Sequence, residues 1–537
     1  MRRVSSRYRS LALPYTWHSI VIHASHASTS TEQPLYQEIL DSSSGVQRWT
    51  KEVRLFYQSE DLNWSATEQC IQGLKALRVL KWQVHFEFTP KNLGEHIKAF
   101  HQTLQDTFPT VDLGVSWHLP RRIENGRLMT LPLYSNGLPV VLSSQILRSF
   151  QISIHAPRHS SEFEPCGLAI IREIMLKSPN LQVFDLHFLH REEEASSELD
   201  ISDIAFCHLI VLPFDRLPPL KELRLTNYVW NDAHAARFAS AMDWTELRRL
   251  DLRNCLHLSD RGLSRYNMVF FEAFCGKLPS LQYLRTGFFL FGPGHARRGY
   301  DILHRFLQQL SGLRELSLVG SLYHYRNLYQ CEKTVLEMLL IHGSTIESIE
   351  YIGSNVPDNR TLWSVSALEL IREQCPRFSS ISLNIEDLGA YGQFGPRFIL
   401  GNMKAQSTRL MADPVFLALA KIPQLKQLTI HTEMAEREIL FPDQSSSIMA
   451  VKSLFTFIQL HRTGHPLEKL TIHSTSCTRI HDRARPYKSP TITFHCRRTV
   501  NTDCQGQFDV DIQHGDASAA QAEVGSGFST RRRVIRL

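Results

Sequence analysis

One short arrangement of apolar positions keeps returning along the chain: apolar, two variable residues, apolar, one variable residue, apolar. Its clearest copies are Leu220, Leu223 and Leu225; Leu247, Leu250 and Leu252; Leu313, Leu316 and Leu318; Leu425, Leu428 and Ile430; and Leu467, Leu470 and Ile472. Looser copies begin at Thr50, Leu77, Phe108, Leu147, Leu181, Leu281, Ile346 and Phe378. The starting positions are spaced by about 35 residues on average. Within each copy the last two apolar positions lie two apart, so in a strand both point to the core and the residue between them faces out. The intervening stretches carry helical spacing instead, as at Leu168, Ile171, Ile174 and Met175, or Leu303, Phe306, Leu307 and Leu310. Turn-forming residues such as Pro179, Pro218, Pro219 and Pro279 precede many copies. The pattern predicts an α/β solenoid: repeated strand-plus-helix units that stack because none can bury its apolar face alone. Parallel strands would line one face and helices the other. The alternative is an ordinary α/β domain whose Leu-rich strands recur by chance.

The register predicts which side chains the strand face displays. In order they are Arg54, Lys81, Asp112, Gln151, Asp185, Arg224, Asp251, Arg285, Ser317, Glu350, Ser382, Thr429 and Thr471. Four are basic and four acidic, and the C-terminal third is nearly uncharged. The charged members, with Arg253 beside Asp251, are the candidate partner-binding residues. A mixed field does not attract phosphate and suits a polar protein surface, where complementary charge sets register and partner choice.

Bulk properties agree with a globular binder. Apolar residues make up 43% and charged residues 21% of the 537 residues. A net charge of +6, from 59 basic and 53 acidic residues, is too mild to make nucleic acid or an anionic membrane the main partner. No apolar run approaches the roughly 20 residues a bilayer crossing needs. The 10 cysteines are scattered without a Cys-x-x-Cys pair, which argues against a disulfide framework or zinc ribbon.

Catalytic signatures are not found. There is no phosphate loop, His-Glu-x-x-His, nucleophile elbow or dinucleotide glycine fingerprint. Neither a catalytic residue, a metal nor a cofactor is expected. Among the 25 histidines, His155, His187, His431 and His473 each fall just after a repeat strand, where stacking could bring some into one row. The acidic run Glu192 to Glu194 reads as a solvated loop and Arg531 to Arg533 as a charged end.

Two resemblances sharpen this reading. The stretch from Leu247 through Leu250, Leu252, Cys255, Leu258, Ser259 and Asp260 to Leu263 resembles the cysteine-containing class of leucine-rich repeats. The resemblance implies a horseshoe of parallel strands, with Cys255 a buried structural residue at a strand-to-helix turn. Regular leucine-rich repeats are shorter, at about 20–29 residues. Near the N-terminus, Leu11, Leu13, Pro14, Trp17 and the strand-like Ser19 to Ile22 resemble the end of fungal F-box domains, which sits directly before a repeat array. This F-box is partial, because the Leu-Pro-x-Glu first helix is not found ahead of it. It implies a substrate-recognition subunit of a cullin-based (SCF-type) ubiquitin ligase, cytoplasmic or nuclear, with Leu11, Leu13, Pro14 and Trp17 docking the adaptor. A scaffold with no ligase connection is the alternative. Residues 1–30, with four arginines and no acid, also resemble a mitochondrial presequence. The expected organisation is a lead-in over 1–45, the array over 46–480, a cap over 481–516 and an unstructured tail over 517–537.

Overall fold

The computed structural model describes residues 18–23, 37, 39, 41, 46–57, 64–85, 93–118, 122–124, 127–129, 144–155, 166–189, 209, 211–253, 255–259, 262–264, 268–287, 293–320, 336–353, 363–384, 414–434, 446–476, 490–498, 508–516 and 533–535. Leu11, Leu13, Pro14 and Trp17 lie outside them, as do the acidic run and the Gly- and aromatic-rich stretch 389–396. The chain forms two compact units that meet in sequence between Ser264 and Arg265.

The first unit is α/β, with a parallel, open sheet. Its principal strands are β1 (Ser19–His23), β2 (Glu52–Tyr57), β3 (Val79–His85), β4 (Asp112–His118), β5 (Leu147–His155), β6 (Val183–Leu189), β7 (Glu222–Thr226) and β8 (Arg249–Arg253). Each pairs parallel with the next in chain order. By the right-handed rule for crossovers between parallel neighbours, the connections pass over the same face. That side carries α1 (Val46–Trp49), α2 (Trp64–Gly73), α3 (Leu93–Thr107), α4 (Cys166–Lys177) and α5 (Asp232–Ser240). The paired apolar positions of the repeat form the core: Val53 and Leu55, Leu80 and Trp82, Phe184 and Leu186, Leu223 and Leu225, and Leu250 and Leu252 are all buried. Leu168, Ile171, Ile174 and Met175 of α4 are buried as well.

In this unit the displayed residues form two rows rather than one. Lys81 pairs with Gly114, so Gly114 takes the outward place that the pattern gave to Asp112. A bulge follows: Leu113 faces Leu147 but Gly114 faces Ser149, leaving Arg148 as the extra residue. Arg54 and Lys81 therefore share a row with Glu222 and Arg249, while Asp185, Arg224 and Asp251 share the next row with Gln151. The pattern could not separate these frames. Val111, Leu113, Val115 and Trp117 are all buried, and a two-residue shift leaves every side chain on its own face.

Beyond β8 the chain departs from what the leucine-rich-repeat resemblance implies. Cys255 is buried, with Sγ 3.4 Å from the Leu225 carbonyl, but the residues directly after it form strands, and the next helix starts only at Met268. Leu256–Ser259 instead pairs parallel with Val229–Trp230 and antiparallel with Gly262–Ser264. Asn227, at φ 57°, supplies the left-handed turn into this ribbon, and its amide donates to the Phe188 carbonyl at 2.6 Å. The filling is aromatic: Tyr228, Trp230, Phe238 and Trp244 are buried with His234, whose Nε2 lies 2.7 Å from the Tyr228 hydroxyl.

The second unit repeats the scheme with better register. Strands β9 (Tyr283–Gly287), β10 (Glu315–Gly320), β11 (Ser348–Gly353), β12 (Ser380–Asn384), β13 (Gln427–Met434) and β14 (Lys469–Ser476) run parallel in chain order. Antiparallel strands β15 (Pro490–Arg498), β16 (Phe508–Asp516) and β17 (Arg533–Ile535) follow, the last of them inside the segment read as an unstructured tail. The helices are α6 (Met268–Phe274), α7 (Pro293–Gln308), α8 (Val365–Gln374), α9 (Pro414–Ala420) and α10 (Ser446–Leu460). Phe271 of α6 meets Phe306 of α7 at 4.9 Å. Here Arg285, Ser317, Glu350, Ser382, Thr429 and Thr471 form one row, as their spacing predicts.

A structural arginine ties two turns together ahead of β13 and β14. Arg462 donates to the carbonyls of Ile422 at 2.8 Å and Leu425 at 2.6 Å, and to that of His465 at 2.7 Å. Gly464 sits beside it where a Cβ would come within 2.3 Å of the Pro423 carbonyl oxygen, so no larger residue fits. Among the described residues, no helix is long and apolar enough to cross a membrane.

Candidate functional site

The strand face opposite the helices is the surface that the repeat leaves uncovered, and in the first unit it is a lattice of opposite charges. Glu222 accepts from Arg224 at 2.6 Å and forms an ion pair with Arg249 at 3.1 Å. Arg224 also reaches Asp185, one strand over, at 3.7 Å. Asp251 accepts from Arg253 on its own strand at 2.6 Å, a pairing that lets the carboxylate be almost wholly buried. Asp185 is also buried, and burial pushes its carboxyl up to about 6. Arg224 opposes that shift, while Asp251 and Glu222 add to it. Such a group is mostly ionised at neutral pH and takes up its proton near pH 6.

Further toward β1 the face opens to solvent. Arg54 and Lys81 both pair with Glu52, at 3.1 and 3.0 Å, and both are half exposed. Lys81 above all holds the Glu52 carboxyl below its usual range. Asp112, outside the two main rows, pairs with the bulge residue Arg148 at 3.1 Å. All five charged face residues predicted between Arg54 and Arg224 are therefore placed on ion pairs. Glu52, Glu222 and Arg148, which complete those pairs, were missed, as was Arg249, which pairs with Glu222. Glu222 and Arg249 lie two residues before Arg224 and Asp251, so alternation along the strand could have found them. The bulge residue Arg148 had no such signal.

In the second unit the face is built from hydroxyls and imidazoles. Ser382 Oγ lies 3.0 Å from His431 Nε2, Thr493 Oγ1 lies 2.9 Å from His473 Nδ1, and Thr471 Oγ1 lies 3.3 Å from His495 Nδ1. The rings of His431 and His473, register partners on β13 and β14, stack at 4.9 Å. Stacking thus brings these two of the four strand-end histidines together. His187 is instead the register partner of Thr226 in the first unit. Burial holds His431 down to about 4, helped by the Arg285 charge. Burial and then the neighbouring His431 hold His473 down to about 3. Both rings are neutral near pH 7.

Arg285 and Glu350 complete the patch. Glu350 accepts the Ser317 hydroxyl and lies 3.8 Å from the Arg285 guanidinium. Arg285 Nε is buried and makes no hydrogen bond among the described residues. Arg285 influences His431, and Glu350 influences His473, across several strands. Among the described residues no group of three His, Cys, Asp or Glu side chains is arranged to hold a metal ion.

The Ser382–His431 pair has the form of a nucleophile and base, but an imidazole held near 4 is a weak base, and no carboxylate orients it among the described residues. Compared with known proteins, the chain matches no family model and no curated protein.

Proposed function

We propose that this chain is a non-enzymatic protein-binding array of the leucine-rich-repeat kind, using the strand face of its repeats. The observation that carries the reading is the alignment of polar and oppositely charged side chains from successive strands, on a face that the helices leave uncovered. Mixed-sign ion pairs of this sort select a partner by complementarity and give a fixed register, while providing no concentrated field for phosphate. Binding across several repeats is how such faces reach useful area, since about 800 Å² per partner is typical of a specific complex.

The finer reading rests on the N-terminal resemblance. In it, Leu11, Leu13, Pro14 and Trp17 dock a ligase adaptor, and the array presents a target protein to a cullin-based ubiquitin ligase in the cytoplasm or nucleus. The alternative is a scaffold that binds a partner without a ligase; a mitochondrial address would favour it.

The test is affinity purification of the tagged full chain with mass spectrometry, beside a variant carrying Arg54→Glu and Lys81→Glu and a second carrying Arg224→Glu. Adaptor and cullin in the eluate would support the ligase reading, and other proteins alone would support the scaffold. If every co-purifying protein is retained equally by all three folded chains, the strand face of the first unit is not the binding surface.

A further inference from the structure

Strand β1 leaves one backbone edge of the first unit's sheet open. It pairs with β2 alone among the described residues, in register from Ser19 with Glu52 to His23 with Phe56, without a bulge. The Glu52 amide donates to the His18 carbonyl, one residue ahead of the pair Ser19–Glu52. Backbone groups alternate sides along a strand, so Ile20 and Ile22 also turn theirs to β2. Ser19, Val21 and His23 turn their N–H and C=O groups away from it, where they meet no hydrogen-bond partner among the described residues. Folded chains blunt such an edge with lysine, proline or a bulge, and Ser-Ile-Val-Ile-His has none of them. The surface beside this edge is cationic. Arg54, the register partner of Val21, and Lys81 on β3 are both half exposed and share one carboxylate, Glu52, while Lys51 is exposed as well. Glu52 engages only the Arg54 Nε, which leaves the terminal nitrogens of that guanidinium to a ligand. Val21 is 42% exposed, whereas Ile20 and Ile22, on the other face, are buried level with Val53 and Leu55.

We infer that the β1 edge takes up an extended segment of a partner protein as a further strand, one in which apolar residues alternate with glutamate or aspartate. This site is the edge of the sheet and not its face, so it goes beyond the strand-face reading. Only an extended backbone presents donors and acceptors at the spacing of Ser19, Val21 and His23. On the helix side, alternate residues of the added strand lie beside Ile20 and Ile22 and continue their buried layer. On the opposite side, the residue next to Val21 has to cover an apolar side chain and answer Arg54 one strand further in. A glutamate does both, with its methylene stem and its carboxylate. Its backbone lies about 10 Å from that of Arg54, a gap the two long side chains span together. A second copy of β1 would bring a matching set of cations to the same edge, so the charges favour an acidic partner.

A fluorescein-labelled peptide of alternating valine and glutamate, titrated into the full chain by anisotropy, tests this beside two controls: a valine–lysine counterpart and a copy methylated at every backbone nitrogen. The acidic peptide should bind, the basic one at least about tenfold more weakly at low salt, and the methylated copy not at all. Val21→Pro should cut affinity at least about tenfold, because it deletes a donor on the open edge and sets a ring in the way. It spares the Ile20 and Ile22 donors that hold β1 to β2, the placement at which an edge strand tolerates proline. Lys421→Gln, an exposed cation of the second unit, should change nothing. Should Val21→Pro fail to fold, the comparison of the three peptides on the natural chain still decides. No binding, equal affinity for the acidic and basic peptides, retention of the methylated copy, or an unaffected Val21→Pro chain would each overturn the inference. So would a dimer of the natural chain in sedimentation that Val21→Pro dissolves, since a second copy would then hold the edge. Val21→Pro leaves the charges of the strand face in place, so failure at the edge with co-purifying proteins still sensitive to Arg224→Glu would leave the strand-face reading intact.

Discussion

At the scale of the residue, the two most informative groups are a carboxylate and a guanidinium held in place by the fold. Asp185 is an acid whose folded-state pKa, about 6, lies above its ordinary value of 3.8. The folded chain therefore holds a proton that the unfolded chain has released between about pH 4 and 6, and the stability this confers is lost as pH rises through that window. Asp185→Asn, which keeps the shape without the charge, should flatten the pH dependence of the melting temperature there. The ceiling on that effect is about 3 kcal/mol, at 1.36 kcal/mol per pKa unit, with Arg224 reducing it. An unchanged slope between pH 4 and 7 would mean that Asp185 is solvated. Arg462 acts oppositely, by satisfying carbonyls. Arg462→Ala should cost about 2–3 kcal/mol in urea unfolding because several acceptors lose a charged donor together, and Arg462→Lys should recover only part, having no planar fork. Neither residue was legible beforehand. Asp185 was placed on the face but not recognised as buried, and Arg462 sits in a turn where no periodicity operates.

At the scale of the element, the repeated strand carries the stability. Leu223, Leu250, Leu284, Leu316 and Leu428 are fully or almost fully buried at equivalent positions. Truncating one removes its transfer free energy and leaves a cavity, so Leu250→Ala should destabilise the first unit by about 3–5 kcal/mol. A loss under about 1 kcal/mol, measured by chemical denaturation, would show that the layer collapses to fill the space. These strands were readable because a single apolar period of two sets both burial and facing. Their helices were readable where spacing was clear, as in α4. Two features were not: the bulge at Arg148, which adds a residue without altering the apolar alternation, and the ribbon after Cys255, where a repeat-like segment turns into short strands.

At the scale of the molecule, the two units present different faces, ion pairs in the first and hydroxyl–imidazole pairs in the second. Partners captured through Arg54, Lys81 and Arg224 should therefore dissociate as sodium chloride rises from 50 to 500 mM, with the loss seen mainly in the association rate. Capture indifferent to salt would point to an apolar surface instead. The sequence by itself determined the main parallel strands and the clearly spaced helices, their order and, through the second unit, the row of outward residues. It could do so because alternation in a strand is a local property, fixed by the pleat. The tertiary structure decided the rest: which of two frames each strand of the first unit adopts, where the chain divides into units, and which charges meet. Those depend on register between strands about 30 residues apart, and a two-residue slip costs the apolar pattern nothing, so only the packing of the folded chain selects among them.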